Sequence, residues 1–400
     1  MKAFTVKLLA VALGFTLTNA NAQTVTLQLA VSAGDFIDGY ELAPFSTGTA
    51  TDGMRPGIND SGTLSFWCET ANAQNGFFTQ TTKLMHSGEM VDGITPFRPV
   101  GGLGSINASG LSAFNWAYDD EASAHRGAFT QNGVLAKTGD TIGGRTIRFV
   151  AGSPVVNDSG AAVFYGFTQP GEGIFTQDAL LVKNGDVVAG KQLIGFGLSP
   201  SINNAGTIAF QASHSTGTSI FTQTQALVTT GDVFAGETVR VLGDPVINDN
   251  GQVVTYARIG PGFIRRDAIL SIGDRWVARV GDVIAGQTMT ALGKWPTIND
   301  SGLVAYTGTF VGGSGIFAND LLIARTGDML AGRTFASFSN PGINDLNSIA
   351  FVATFTDGSS GVVVADITLV PEPTSLGLAG IGGTILAFLV RPHGRKRQSL

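Results

Sequence analysis

An all-β fold is predicted, and three observations narrow it to a seven-bladed β-propeller of about four strands per blade. The first is a recurring Asn-x-x-Gly turn, beginning at Asn59, Asn107, Asn157, Asn203, Asn248, Asn299 and Asn344. Subtracting neighbours gives steps of 48, 50, 46, 45, 51 and 45 residues, so one supersecondary unit is built repeatedly. The second is a companion turn that keeps pace with it: Gly-Asp, two residues, a small residue and Gly. It stands at Gly34-Asp35, Gly139-Asp140, Gly185-Asp186, Gly231-Asp232, Gly281-Asp282 and Gly327-Asp328, with Gly88-Glu89 as the degenerate copy. The third is the match between the ends. The chain enters with a strand, Thr24 to Val31, of the kind that precedes Gly-Asp, and leaves with Gly361 to Leu369, of the kind before that one. The last unit therefore lacks one strand and the N-terminus supplies it, which closes a ring and removes exposed sheet edges.

Within a unit, the copy around Asn203 shows the pattern. Lys191 to Gly197, Thr207 to Gln211, Ser219 to Thr222 and Ala226 to Thr229 are short β-branched and apolar runs separated by Gly, Asn and Pro. Between Gln23 and Val370 there is no helical period. Pro stands three residues before the Asn in six copies (Pro56, Pro154, Pro200, Pro245, Pro296, Pro341), presetting φ and ending a strand. The Asn closes a turn on its own backbone, and the Gly three residues on is expected at positive φ. Asn347 replaces that Gly in the seventh copy, as the next residue to tolerate the conformation. Seven residues after the Asn come Phe66, Phe114, Phe164, Phe210, Tyr306 and Phe351, expected on one strand face in the core. The fifth copy has Thr255 there with Tyr256 beside it, and a small bulge is expected.

The ends carry addresses. Lys2 and Lys7, an apolar stretch from Leu8 to Leu17, and the small-x-small site Ala20-Asn21-Ala22 form a signal peptide over residues 1–22, cleaved to leave Gln23. Residues 23–369 are the propeller. Residues 370–400 hold Pro371-Glu372-Pro373, an apolar segment from Leu376 to Val390, and the basic cluster Arg391, Arg395, Lys396 and Arg397. Fifteen apolar residues fall short of the ~20 that span a bilayer comfortably, but the basic end marks a cytoplasmic side. This order of motifs resembles the PEP-CTERM sorting signal of Gram-negative bacteria. The resemblance implies a transient inner-membrane helix, recognition by an exosortase, and delivery to the cell surface or extracellular matrix; a plain membrane anchor is the alternative. The Asn-x-x-Gly-x-x-x-Phe repeat, over roughly residues 30 to 355, resembles a family of exported bacterial tandem-repeat proteins, which implies surface display and no particular activity.

Composition agrees with export and narrows function. Charged residues are 14% and Gly numbers 55 of 400, the balance of a loop-rich β protein. The net charge of -6 and the absence of basic clusters between the termini argue against nucleic-acid binding. Cys68, the single cysteine, sits in a strand-like run without basic neighbours and reads as a buried inert thiol. The Asn-Asp-Ser-Gly turns have calcium-type oxygens, but each brings at most one carboxylate, and turn geometry accounts for them without metal. No cofactor or metal is expected.

Function is sought where the copies differ. Trp116, Tyr118, Asp119, Asp120 and Glu121 lie around the second-to-third strand loop of the second blade, and Arg265 and Arg266 in the matching loop three blades on. Aromatics beside polar groups suit sugar rings, although Trp116 reads equally well as core. These loops are expected on the face that carries the blade-to-blade crossovers. No nucleophile elbow or metal-ligand spacing is present. The expected function is a non-enzymatic exported protein presenting a propeller face, with surface polysaccharide as candidate partner and exosortase and signal peptidase acting during export. The alternative is a secreted polysaccharide hydrolase or lyase using Asp119, Asp120 or Glu121 as acid or base.

Overall fold

The computed structural model describes residues 23–47, 55–101, 104–119, 125–262 and 265–369. The signal peptide with Ala20 and Ala22, the sorting motif with Pro371, Glu372, Pro373, Arg395, Lys396 and Arg397, and the loop residues Asp120 and Glu121 lie outside them. Residues Thr26–Asp366 form one compact unit. A second contains the described residues 23–25 and 367–369, where the Thr24 and Thr368 hydroxyls share a hydrogen bond at 2.6 Å.

Every named element is a strand, and the strands fall into seven antiparallel blades. Blade 4 is representative. Its inner strand runs Lys191–Phe196 and resumes at Ser201–Ile202, followed outward by Ile208–His214, Gly217–Phe221 and Ala226–Thr229. Blade 7 is completed as the sequence predicts. Arg333–Phe338 with Gly342–Ile343, Ser348–Phe355 and Ser360–Leu369 are joined on the outside by the N-terminal strand Gln23–Ser32. The approach is tight: a Cβ on Gly361 would stand 2.2 Å from the Val31 carbonyl oxygen.

The expected turn chemistry is present. The Gly of the Asn-x-x-Gly turn has φ between 77° and 84° in six blades, and Asn347 has φ 64°. Each Asn accepts, through Oδ1, the backbone N–H four residues on, as at Thr207 (2.8 Å) and Leu303 (2.9 Å). The crossover Asp is a turn former as well: Asp140, Asp186, Asp232 and Asp282 each accept the N–H three residues earlier at 2.8–3.0 Å. The small-Gly pair that follows forms a two-residue hairpin turn with both residues at positive φ, for example Ala235 (47°) and Gly236 (79°). These hairpins are clamped to the outer strand of their own blade. Asp92 Oδ2 accepts Val134 N–H at 2.9 Å, and the Phe234 carbonyl accepts the Trp276 indole N–H at 3.0 Å.

The repeat aromatics fill the spaces between blades. Phe66, Phe114, Phe164, Phe210, Tyr306 and Phe351 are all fully buried. Several stack on a cross-strand Phe, as Phe164 on Phe175 (5.9 Å) and Tyr306 on Phe317 (5.5 Å). In blade 5 the expected irregularity lies against the inner strand. The register shifts between Leu242 and Pro245, which pair with Ala257 and Thr255, whereas Thr255 pairs with Leu270 and Tyr256 with Ile269 in unbroken register against the third strand. Thr255 keeps the core position, fully buried, with its hydroxyl donating to the Gly243 carbonyl at 2.9 Å.

The Asn residues do something the sequence does not announce. Each side-chain N–H donates to the backbone carbonyl of the Asn in the next blade: Asn59 to Asn107, Asn107 to Asn157, Asn157 to Asn203, Asn203 to Asn248, Asn248 to Asn299 and Asn299 to Asn344. Asn344 donates to Asn59 at 2.9 Å and closes the circle. A second circle lies one residue on. The N–H of Ala108, Asp158, Asn204, Asp249, Asp300 and Asp345 each reaches the Oδ1 of the next blade's residue, Asp60 receiving the last. It breaks at Ala108, which has no oxygen to offer Asp60.

Two stability predictions follow from these circles. Asn203→Ala leaves the Thr207 N–H without a partner and removes one of the two donors on the Asn248 carbonyl, which keeps the Gly251 N–H, a loss of about 1–3 kcal/mol in chemical denaturation. Ala108→Asn supplies the missing acceptor without adding charge and should raise stability by about 1 kcal/mol in the same assay.

Candidate functional site

The inner strands bring equivalent residues to equal depth in a central channel, so the channel is built in layers. The residue just before each Asn is Ile58, Ile106, Val156, Ile202, Ile247, Ile298 or Ile343, an apolar layer shared as floor by a cavity on either side. On the turn side the cavity holds about 190 Å³ and is ringed by the Asn and Asp circles. Five carboxylates meet there: Asp60, Asp158, Asp249, Asp300 and Asp345. Burial, with the like charges of Asp300, Asp60 and Asp249, pushes the Asp345 carboxyl above its ordinary range, against the N–H of Asp300 that holds it down. Each of these carboxylates is already spent on a neighbouring turn's N–H. Among the described residues no three carboxylate, imidazole or thiolate groups converge as metal ligands.

On the crossover side the cavity holds about 230 Å³. Just above the apolar floor its wall is Gly57, Ser105, Val155, Ser201, Val246, Thr297 and Gly342. These small residues let adjacent inner strands touch. A Cβ on Gly342 would lie 2.2 Å from the Pro56 carbonyl oxygen, and Ser105 and Ser201 accept N–H groups of the next blade, Val156 at 3.0 Å and Ile247 at 3.3 Å. Beyond them comes the proline layer, and beyond that the position four residues before each Asn. There the repeat stops repeating: Arg55, Ser153, Ser199, Asp244, Trp295 and Asn340 occupy it, while Leu103, its counterpart in the sequence, lies outside the described residues. Arg55, Ser199, Asp244 and Trp295 line the cavity.

Arg55 keeps some accessible surface but lies deep in the channel with protein all around. That desolvation lowers its pKa from 12.5 to about 10, and it remains charged at neutral pH. No described residue forms a hydrogen bond or ion pair with its guanidinium. Trp295 is half-buried, and its indole N–H is buried without a hydrogen-bond partner. Asp244 ties blade 5 to blade 4. Its Oδ2 accepts Ser199 N–H at 3.2 Å, and its Oδ1 fills the space above Gly197, where a Cβ would lie 2.0 Å away. Burial nevertheless pushes its pKa up to about 7, the N–H groups of Ser199 and Leu198 opposing.

The cavity opens into a groove of about 420 Å³ over blades 4 to 6, shared through Asp244 and Trp295 and flanked by Phe196, Tyr256, Arg258 and Lys294. Tyr256 donates to Asp267 at 2.6 Å and Arg258 pairs with the same carboxylate at 3.2 Å, so this wall is braced. Lys294 is exposed at the rim.

The loop residues expected to bind fare unevenly. Trp116 is fully buried against Phe77 at 6.0 Å and offers no face to a ligand, which corrects the sugar-stacking expectation. Tyr118 is also buried, with its ring 5.4 Å from His125. Asp119 ends the second strand at φ 70° and pairs with His125 at 3.1 Å. Arg265 is exposed, and Arg266 pairs with Glu237 across the blade. Cys68 is buried and its thiol is pushed up to about 12, as an inert thiol requires. Arg55, Asp244, Lys294 and Trp295 carry no motif of their own within a single copy. One signal could have found them. With the copies aligned on the Asn, the place before the proline layer is occupied by seven residues of nearly unrelated chemistry.

Residues 106–330 and 317–377 match the model of a family of unknown function, DUF7453. The chain belongs to the DUF7453 family. No curated protein matches its sequence. Among solved structures, polysaccharide lyase Uly1 is similar over 87% of this chain and 99% of its own, at 9% identity and TM-score 0.41. Virginiamycin B lyase from Staphylococcus aureus is similar over 87% and 100%, at 9% identity and TM-score 0.38. A gluconolactonase from Xanthomonas campestris is similar over 70% and 99%, at 12% identity and TM-score 0.30.

Asp244 yields a pH prediction for this DUF7453 protein. Its folded pKa, about 7, lies above the ordinary value of 3.8, so the folded state binds the extra proton between those values. Its contribution is therefore fully present below pH ~4 and lost as pH rises toward 7. The difference in melting temperature between wild type and Asp244→Asn should change across pH 4 to 7 and stay flat above. The corresponding free energy is on the order of 1 kcal/mol after allowance for partial exposure.

Proposed function

We propose that this is a non-enzymatic, exported protein of the bacterial surface or extracellular matrix whose crossover-side channel mouth binds exopolysaccharide. The observation that carries the reading is the concentration of off-repeat side chains at that mouth. Trp295 and Phe196 stand beside Lys294 and Arg258 in one groove that continues into the channel at Arg55, with Tyr256 buried in the groove wall. Aromatic faces suit the apolar faces of sugar rings, and the cations favour an acidic polymer. The opposite mouth is ringed by hydrogen-bonded turns and lined with carboxylates, which repel such a polymer.

Export rests on the signal peptide, and the destination on the Pro371-Glu372-Pro373 tail with its apolar segment and Arg395-Lys396-Arg397. Exosortase and signal peptidase are the processing partners in this reading. The alternative, a hydrolase or lyase, would use the second-blade carboxylates, of which Asp119 pairs with His125 at the end of its strand.

The test is retention of the purified protein on immobilised alginate, a polyuronate, against neutral dextran. Wild type should be retained by alginate, and Trp295→Ala and Lys294→Ala should each weaken retention severalfold with melting little changed. Equal retention on dextran, or no effect of either substitution, would sink the reading. Trp116→Ala should behave oppositely, losing about 3–5 kcal/mol of stability while folded protein still binds. Truncation after Leu369 should leave melting unchanged and release the protein in soluble form.

A further inference from the structure

We infer that the crossover side of the channel is a binding site for one small carboxylate anion, with a hexuronate as its natural size, held by Arg55 and the Trp295 indole N–H. Three independent features meet there. Arg55 is a cation deep in the protein with no carboxylate or carbonyl on its guanidinium among the described residues. A charge removed from water that far without a partner is costly, and a bound anion is what would satisfy it. The Trp295 indole N–H is a buried donor without an acceptor, two blades away in the same layer. Indole is donor only, so its missing partner must be an acceptor. The cavity between them holds about 230 Å³, below the range of pockets that enclose a larger ligand and suited to a single small one.

A planar guanidinium matches a carboxylate with two parallel hydrogen bonds, which an ammonium cannot supply. The apolar layer of Ile58, Ile106, Val156, Ile202, Ile247, Ile298 and Ile343 lies between the cavity and the five carboxylates of the other mouth. The groove under Trp295 gives the anion a way in from the crossover side. Asp244 in the same wall has its oxygens directed at Ser199 N–H and Gly197, so its charge is engaged by blade 4.

This deepens the polysaccharide reading by naming the group recognised, a uronate carboxylate, and rests on it only for the identity of the natural ligand. The test uses the full-length protein and isothermal titration with sodium glucuronate, sodium acetate and glucose. Glucuronate and acetate should bind and glucose should not. Arg55→Met should weaken glucuronate at least ~tenfold, Arg55→Lys should fall between Met and wild type, and Trp295→Phe should weaken it ~3–10-fold. In wild type, glucuronate should shift the 15N–1H resonance of the Trp295 indole, a readout that does not depend on any variant folding. The inference is overturned if glucose binds as well as glucuronate, if glucuronate does not bind, if Arg55→Met binds normally, or if the indole resonance stays fixed while glucuronate binds. Alginate retention without glucuronate binding would remove the channel site and leave the outer groove as the polymer's contact. Glucuronate binding without alginate retention would establish the channel site and remove the polymer reading.

Discussion

The structure depends on one side chain used seven times. Each repeat Asn spends Oδ1 on its own turn and its amide N–H on the next blade's carbonyl, and the seventh donates back to the first. An internal turn and a joint between blades are therefore the same residue. Only Asn does both, since Asp lacks the donor and Ser lacks the reach to serve two partners at once. The bonds are buried, where an unmatched partner costs more than a matched one contributes. A blade out of place would strand the Asn amide and leave the carbonyl with only its own turn's N–H, so the circle opposes any arrangement but a closed ring of seven.

The blade count, the closing strand and the turn conformations were legible because each follows from local chemistry repeated at a fixed step. Positive φ at Gly206 and Asn347, burial of Phe210 and Tyr306, and the turn role of Asp232 all depend on residues near in sequence. What was not legible depends on contacts some forty-five to fifty residues away. The Asn203 amide reaching the Asn248 carbonyl is one such contact, and Asp244 covering Gly197 is another. Trp116 misled for a related reason. It stands outside the repeat in sequence, but its strand runs on into the space beside Phe77, so an off-repeat residue became core. Being different from the other copies marks a residue for attention; depth in the ring decides its role.

The candidate site follows from the same geometry. Residues from the small-residue layer to the Asp circle must match their neighbours in the next blade, either to let strands touch or to complete a circle. Four residues before the Asn, the strand leaves regular pairing. In blade 4 it is bonded at Gly197 to Gln211 and again at Ser201 to Ala209, with Leu198, Ser199 and Pro200 between. Side chains there are released from the repeat, and that is where Arg55, Asp244 and Trp295 stand. The ring is thus a rigid frame carrying one layer free to vary, an arrangement suited to placing ligand-binding groups on fixed elements.

The two mouths of the channel are electrostatically opposed, and this sets a direction of access. Five carboxylates crowd the turn side, and their repulsion, together with burial, is felt at Asp345. Arg55 on the other side carries its charge with no anion beside it among the described residues. Were the channel continuous and wet, the carboxylates would screen or neutralise that charge through water. The layer of six Ile and one Val between them opposes this by narrowing the bore with hydrocarbon. In a medium of lower dielectric the Arg55 field is directed toward the open crossover mouth, where the groove carries Lys294 and Arg258 as well. Opening the floor with a polar residue, as in Ile298→Asn, should therefore weaken glucuronate at Arg55 without touching the ligand. Water would then connect the guanidinium to Asp300 and its neighbours, and titration of that variant against wild type measures how far the hydrocarbon layer sustains the site.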